Sequence, residues 1–304
     1  MMINFLKYKN IFFVFSALVI TACIALLFVF PLKPSIEFTG GSVLELQYSD
    51  NRPSADVIQG KLAAANFKDA TVQPIGDKGF VIRTQSTNND AHQNLTNALK
   101  DTGTFVEQSF EAIGPVVGKE LFQKTIILVI VSLAAMLLYI AIAFKNIPGP
   151  ISPWVYGLAS FFILGHDVLV PLAVFSVLGK YYDVQVTISI ITALLTVVGY
   201  AINNVIVVYD RTRENLLRGV RGGNFEEVAN LSINQTLSRQ INTSLAVLFP
   251  LFAMYFLSGA ALKYFSLALI LGIVTGTYSS IFLATQILVF WLNYRNRKAK
   301  KAGK

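Results

Sequence analysis

The sequence predicts an α-helical membrane protein, six transmembrane helices with one small α+β domain inserted after the first, and three observations carry that prediction. Apolar and aromatic residues make up 54% of the chain and charged residues only 14%, where soluble domains run at about 45–50% and about 25%. Six stretches are long and apolar enough to cross about 30 Å of hydrocarbon, which takes about 20 helical residues. Between the first two lies a segment of 94 residues with mixed, soluble-type composition. The dispersed aromatic bulk, 23 Phe and 12 Tyr, excludes a disordered, collagenous or coiled-coil chain. One Cys and two His leave no disulfide framework and no multi-ligand zinc or haem site built by this chain alone.

The first stretch, 11–30, follows Lys7 and Lys9 and ends before Pro31. Its basic start, with Ile20-Thr21-Ala22-Cys23, also fits a signal peptide of the lipoprotein type. The apolar run continues past that point, so a retained helix with Cys23 as a small buried residue is the expected outcome. The second stretch, 125–144, lies between Lys124 and Lys145. The third, about 154–179, encloses His166 and Asp167. The fourth, 184–209, holds no formal charge, and the fifth, 240–262, begins beside Arg239. The sixth falls within 264–291, with Trp291 and Tyr294 placed for an interface. The expected organisation is therefore 1–30, an N-terminus and first helix; 31–124, the α+β domain; 125–294, five further helices with a loop at about 210–239; and 295–304, a basic tail.

Charge sets the expected orientation. Residues 31–124 carry a net −2 while the rest carries +10, and the short loops on the opposite side hold only Lys180 and Lys263. Excess Lys and Arg mark the cytoplasmic face, so both termini, the 210–239 loop and the tail are expected inside. The same distribution accounts for the high net charge without nucleic-acid binding.

Within 31–124 the elements alternate. Residues 42–48 read as a strand with Leu44, Leu46 and Tyr48 on one side and Val43, Glu45 and Gln47 on the other. Ser54 opens a helix through about Asn66, with Val57, Ile58, Leu62 and Ala65 at helical spacing. Residues 70–75 and 79–84 are strands joined by Gly76-Asp77-Lys78, a hairpin signal. Asn89 or Asp90 caps a second helix through about Lys100, and 104–110 is the last strand. The order βαββαβ points to a ferredoxin-like sandwich with both helices on one face, and it contains no catalytic constellation.

Gly114-Pro115-Val116-Val117-Gly118-Lys119-Glu120 has the flavour of a phosphate loop. It lacks one residue between the glycines and the Ser/Thr after Lys, so a turn feeding the second helix is expected. Polar groups inside the spans say more, because a charge at the bilayer centre costs about 2.5–3.5 kcal/mol and faces a bundle interior. His166 and Asp167 meet that description. Thr192, Thr196, Gly199 and Asn203 share one helix face, with Asn204 beside it, and helix–helix glue is their plainest role. Arg239 at a span end fits a topology anchor. Gly272, Gly276, Ser279 and Ser280 form a small-residue packing stripe.

Several of these runs together resemble the SecF family, the SecD/SecF membrane subunits of the bacterial Sec protein-export machinery. They are Ser35-Ile36-Glu37-Phe38-Thr39-Gly40-Gly41, Ile113 to Leu121 with Gly114, Pro115 and Gly118, Gly165-His166-Asp167-Val168, Gly199-Tyr200-Ala201-Ile202-Asn203, the Tyr209-Asp210-Arg211-Thr212-Arg213-Glu214-Asn215 run, Asn234 to Arg239, and Gly276 to Phe282. The resemblance spans nearly the whole chain, in the family's order. It implies an accessory subunit, not an enzyme, in the bacterial inner membrane, with a periplasmic domain after the first helix. It further implies partnership with SecD and the SecYEG channel, contact with the exported polypeptide and membrane lipid, and kinship with RND transporters. No resident cofactor is implied, only H+ or Na+ in transit. In the family, an Asp after Gly-Tyr-x-x-Asn and the Arg of the fifth span are implicated in proton passage. Arg239 matches the latter, but Asn204 stands where the Asp would be, and an amide cannot cycle between charged and neutral forms. The ion-coupling candidates are thus Asp167, His166, Asn203, Asn204 and Arg239. A non-conducting assembly scaffold and one half of an RND-type small-molecule transporter are the alternative readings.

Overall fold

The computed structural model describes residues 3–87, 91–145 and 151–301, and it contains six helical segments long and apolar enough to span a membrane. After a short 3-10 turn at Phe5–Tyr8, helix α1 runs over Lys9–Val29. It stops at Phe30, which is extended as the residue before a proline must be. One helical turn, α2 (Ile36–Thr39), leads into strand β1 (Gly41–Tyr48); α3 (Ala55–Ala64), β2 (Thr71–Ile75), β3 (Gly79–Thr84), α4 (Ala91–Leu99) and β4 (Phe105–Ile113) follow. The remaining helices are α5 (Pro115–Ala143), α6 (Pro153–Tyr182), α7 (Ile188–Leu217), α8 (Phe225–Leu257), α9 (Ala260–Phe282) and α10 (Ala284–Lys301).

The chain divides into two compact units, one with the residues through Pro31, Val129–Ser176 and Ser189 onward, the other with Leu32–Leu128 and Val177–Ile188. In the second unit the four strands lie in the order β2-β3-β1-β4, every neighbour antiparallel, which is the split βαβ arrangement expected of βαββαβ. Alternation decides the faces. Leu44 and Leu46 of β1 and Phe80 and Ile82 of β3 are buried with Ile58 and Leu62 of α3 and Leu95 and Leu99 of α4. Burying one such side chain contributes about 1.5–3 kcal/mol, so these eight residues are the main source of the domain's stability. The hairpin over Gly76-Asp77-Lys78 forms as expected, with Gly76 at φ +53°. The expected cap at Asn89 or Asp90 lies outside the described residues. Strand β4 runs three residues beyond its expected end, with an irregularity opposite Glu45 and Leu46 of β1.

In the membrane unit, α7 lies against much of the core. Its Tyr209 meets Tyr156 of α6 at 5.1 Å between ring centroids and Phe144, just after α5, at 5.7 Å. Helix α9 approaches α7 closely because Gly272 faces Val197 and Gly276 faces Ala201; a Cβ on Gly276 would lie 3.1 Å from that of Ala201.

The helix boundaries differ from the sequence expectation at four places. Helix α5 begins at Pro115, ten residues before the apolar stretch, because proline suits the first helical position, where no N–H partner is needed. The loop expected at 210–239 is mostly helix. Helix α7 continues to Leu217, and α8 starts at Phe225 behind Asn224, whose side-chain oxygen accepts the Glu226 N–H at 3.1 Å. Glu226 and Glu227 then sit favourably at the positive end of the helix. The basic tail is likewise helical through Lys301, and the sixth span is interrupted at Leu283, between α9 and α10.

Candidate functional site

Asp167, midway along α6, is fully buried. One carboxylate oxygen lies 2.9 Å from His166 Nδ1, and the other accepts a hydrogen bond from Ser279 Oγ of α9 at 2.7 Å. Gly276 permits this approach, since a Cβ there would stand 3.5 Å from Asp167 Oδ2. Thr275 of the same helix reaches the Asp167 carbonyl at 3.4 Å. His166 is also buried, its Nε2 has no hydrogen-bond partner, and its ring lies 6.1 Å from that of Tyr278.

Of the five ion-coupling candidates, the structure brings together only these two. Asn204 is 2% exposed on α7 and its Nδ2 makes no hydrogen bond. A polar chain crosses α7, α8 and α9 through Tyr200, Ser244 and Thr277, with steps of 2.9 and 2.6 Å. A second contact joins Gln240 of α8 to Ser280 of α9 at 2.6 Å. Asn203 faces outward with Thr192 and Thr196, and so does Arg239 on α8, whose guanidinium forms no ion pair among the described residues. Polar side chains on α7 and a cationic one on α8 therefore remain exposed among the membrane helices.

The motif residues beside the α+β domain hold one another closely. The Glu37 carboxylate accepts the backbone N–H of Ile188, the first residue of α7, and the Ser35 hydroxyl at 3.1 Å. Beside it Ser35 and Val186 pair through backbone hydrogen bonding at 3.0 Å, and Lys33 pairs with Asp183 at 2.5 Å. Phe38 packs edge-on to Phe122 of α5, and Thr39 Oγ1 donates to the Ser35 carbonyl. Gly114 accepts the Gly118 N–H at 3.0 Å and Pro115 opens α5. A Cβ on Gly118 would fall 2.8 Å from the Gly40 nitrogen, and Gly41, at φ +134°, faces the Thr84 carbonyl so closely that any side chain would collide. The expected turn at 114–118 is thus the first turn of α5, shaped for close backbone approach rather than for phosphate.

Asp210 and Arg211 have local roles. Asp210 lies 3.9 Å from Arg213, while Arg211 donates to Gln235 at 2.7 Å and pairs with Glu214 at 2.5 Å. With Asn215 bonding Ser232 and Gln235, they fasten the end of α7 to the start of α8. Asn230 and Asn234 hold the N-terminal segment by its backbone at Ile3 and Phe5.

The sequence reading missed Ser279 as a partner of Asp167. It lies 112 positions away, inside a glycine–serine stripe that reads as packing, and only a serine one turn beyond Gly276 hinted at a hydrogen-bonding role.

Comparison with known proteins accords with this architecture. Residues 94–294 match the model for the protein export membrane protein SecD/SecF, C-terminal, and 25–51 match the SecD/SecF GG motif. The chain is 38% identical to the protein translocase subunit SecF of Thermobaculum terrenum over 96% of its own length and 95% of that protein's. With the SecF of Anaerolinea thermophila it shares 33% identity over 99% and 100% of the two chains. The crystal structure of SecDF, a translocon-associated membrane protein from Thermus thermophilus, superposes with a TM-score of 0.85 at 32% identity. That match covers 96% of this chain and 39% of the longer SecDF chain. The chain is a multi-pass membrane protein and belongs to the SecD/SecF family.

Proposed function

We propose that this chain is a SecF-type translocase subunit of the bacterial inner membrane, which works with a SecD-like partner to promote protein export at the SecYEG channel. The observation that carries the reading is the exposed face of Thr192, Thr196, Asn203 and Arg239. Polar groups against lipid are costly, and helices that carry them meet other helices. In the Thermus relative the matching region is 39% of one longer chain named SecDF, which supports a SecD-like occupant for that face. The α+β domain lies on the periplasmic side in this reading, and both termini lie inside. The energy comes from the proton or sodium gradient; one elementary charge crossing 100 mV releases about 2.3 kcal/mol.

Export into membrane vesicles, with and without this chain, at fixed ATP and varied proton gradient, tests the reading. Stimulation that disappears when the gradient is collapsed supports it, and export indifferent to the chain overturns it. A second reading, a non-conducting scaffold, is favoured by Asn204 alone, since a buried amide has no titratable proton. It requires stimulation that survives loss of the gradient.

A further inference from the structure

Asp167 is the sole carboxylate within the six apolar stretches, and no Lys or Arg pairs with it among the described residues. Its own helix supplies His166; α9 supplies Ser279, Thr275 and the phenol of Tyr278, which is tied in turn to Ser16 of α1 at 3.0 Å; and Ala201 of α7 lies across Gly276. Among the described residues the one ion-pair partner of Asp167 is His166. A carboxylate beside a neutral imidazole would leave one uncompensated negative charge in a dry interior, which low dielectric strongly disfavours. One added proton removes it. We propose that His166, Asp167 and Ser279 form a proton-binding site of this chain, loaded at His166 and stored on Asp167.

The atoms are placed for this. The buried Nε2 of His166 has no partner and presents a lone pair. A proton bound there releases the Nδ1 proton to Asp167 Oδ1, 2.9 Å away. One N–H bond forms, another breaks, one O–H bond forms, and the cluster gains one positive charge to become neutral. Ser279 reads the change. Its hydroxyl donates to Oδ2 at 2.7 Å and also lies 3.1 Å from the Gly276 carbonyl. Neutralising Asp167 replaces a charge-assisted hydrogen bond by one about half as strong. The α6–α9 contact is therefore the place where loading becomes movement. A proton suits the site better than Na+, because both carboxylate oxygens are already engaged and few further oxygens converge on them.

The proposal deepens the export reading by naming its coupling ion and the residues that carry it, but its test does not depend on export. The full chain in lipid nanodiscs is titrated from about pH 10 to about pH 4 while infrared difference spectra follow the carbonyl stretch of a protonated carboxylic acid. The expected result is a single buried-acid band that is absent in Asp167→Asn, shifts in frequency in Ser279→Ala, and has a midpoint moved by about one pH unit or more in His166→Gln. If Asp167→Asn fails to fold, the Ser279→Ala frequency shift alone identifies the acid. A band unchanged in Ser279→Ala and Asp167→Asn, no titration across the range, or a midpoint that follows Na+ concentration overturns the proposal. If titration is as expected but export is unaffected by Asp167→Asn, the site stands and its coupling to export fails; loss of export stimulation by the whole chain is what defeats the export reading.

Discussion

The two units solve the same problem, polar groups away from water, in different ways. In the α+β unit, the ladders of a four-stranded sheet pair the backbone, and buried polar side chains are few: Ser42 donates to the Ser86 carbonyl at 2.6 Å and Thr84 to Asp69 at 2.9 Å. In the membrane unit, buried side chains reach across helices, as Asp167 does to Ser279 and Gln240 to Ser280, and buried atoms without a hydrogen-bond partner, such as His166 Nε2, Asn204 Nδ2 and Gln286 Oε1, occur there as well. The family-motif residues divide along the same line. Gly40, Gly41 and Gly118 of the α+β unit permit close backbone approach and Glu37 caps Ile188, whereas Asp210 and Arg211 in the bundle make ion pairs and hydrogen bonds. Substitutions in the two sets should fail in different ways.

The largest effect is expected at Gly41. Gly41→Val puts a branched side chain at φ +134° against the Thr84 carbonyl, a combination of backbone strain and collision worth about 4 kcal/mol or more. The protein should be depleted from membranes and cut readily by protease within the α+β unit. Normal abundance and protection would erase the distinction between the two sets.

Asn204→Asp probes the other side. It introduces an anion at a buried position, at a cost of about 2.5–3.5 kcal/mol. If Asp167 carries the proton, export should be unchanged or reduced rather than raised. A clear gain of gradient-dependent export in this variant, measured at equal abundance, would make position 204 the missing proton carrier and displace Asp167 from that role.

Glu37→Gln should cost about 1.5–3 kcal/mol, the value of hydrogen bonds to a charged group, by weakening the cap on Ile188. Hydrogen exchange at the start of α7 should quicken while the β-sheet stays protected. Equal exchange in both variants would mean that the cap carries no load.

The smallest effect concerns Asp69. Partial burial pushes its carboxyl up, but the Gln85 amide, the Thr84 hydroxyl and its own amide outweigh that and hold it below the usual carboxylate range. A lowered folded-state value stabilises above the unfolded carboxylate range and is lost as pH falls through the lowered one. Protection at the end of β3 should therefore be flat from neutral pH down to about pH 4 and decline below it, whereas Asp69→Asn should show reduced protection without that acid step.

The α+β unit was the more legible in sequence because its signals are local. Alternation at Leu44, Leu46 and Tyr48 and the Gly76 turn set the strands within a few residues of one another. Helix ends in the membrane unit were misplaced because hydropathy tracks lipid, while helices end where caps allow. Pro115 and Asn224 carry those ends well outside the apolar windows. The spacing of Thr192, Thr196 and Asn203 correctly grouped one face, and it is exposed. Which of the adjacent asparagines turned inward, and that Ser279 would meet Asp167, depended on packing among helices distant in sequence.

The central claim is that the exposed polar face of α7 and α8 is an interface with a SecD-like subunit and that the apolar faces are lipid-facing. Cysteines placed singly at Thr196, Asn203 and, as a control, Ile130 of α5, which is 60% exposed, allow a direct measurement by short-range cross-linking in native membranes. The account predicts adducts of Thr196→Cys and Asn203→Cys to one SecD-like polypeptide and none from Ile130→Cys. Adducts from Ile130→Cys alone, or full export by a chain that cross-links to nothing at positions 196 and 203, would contradict it.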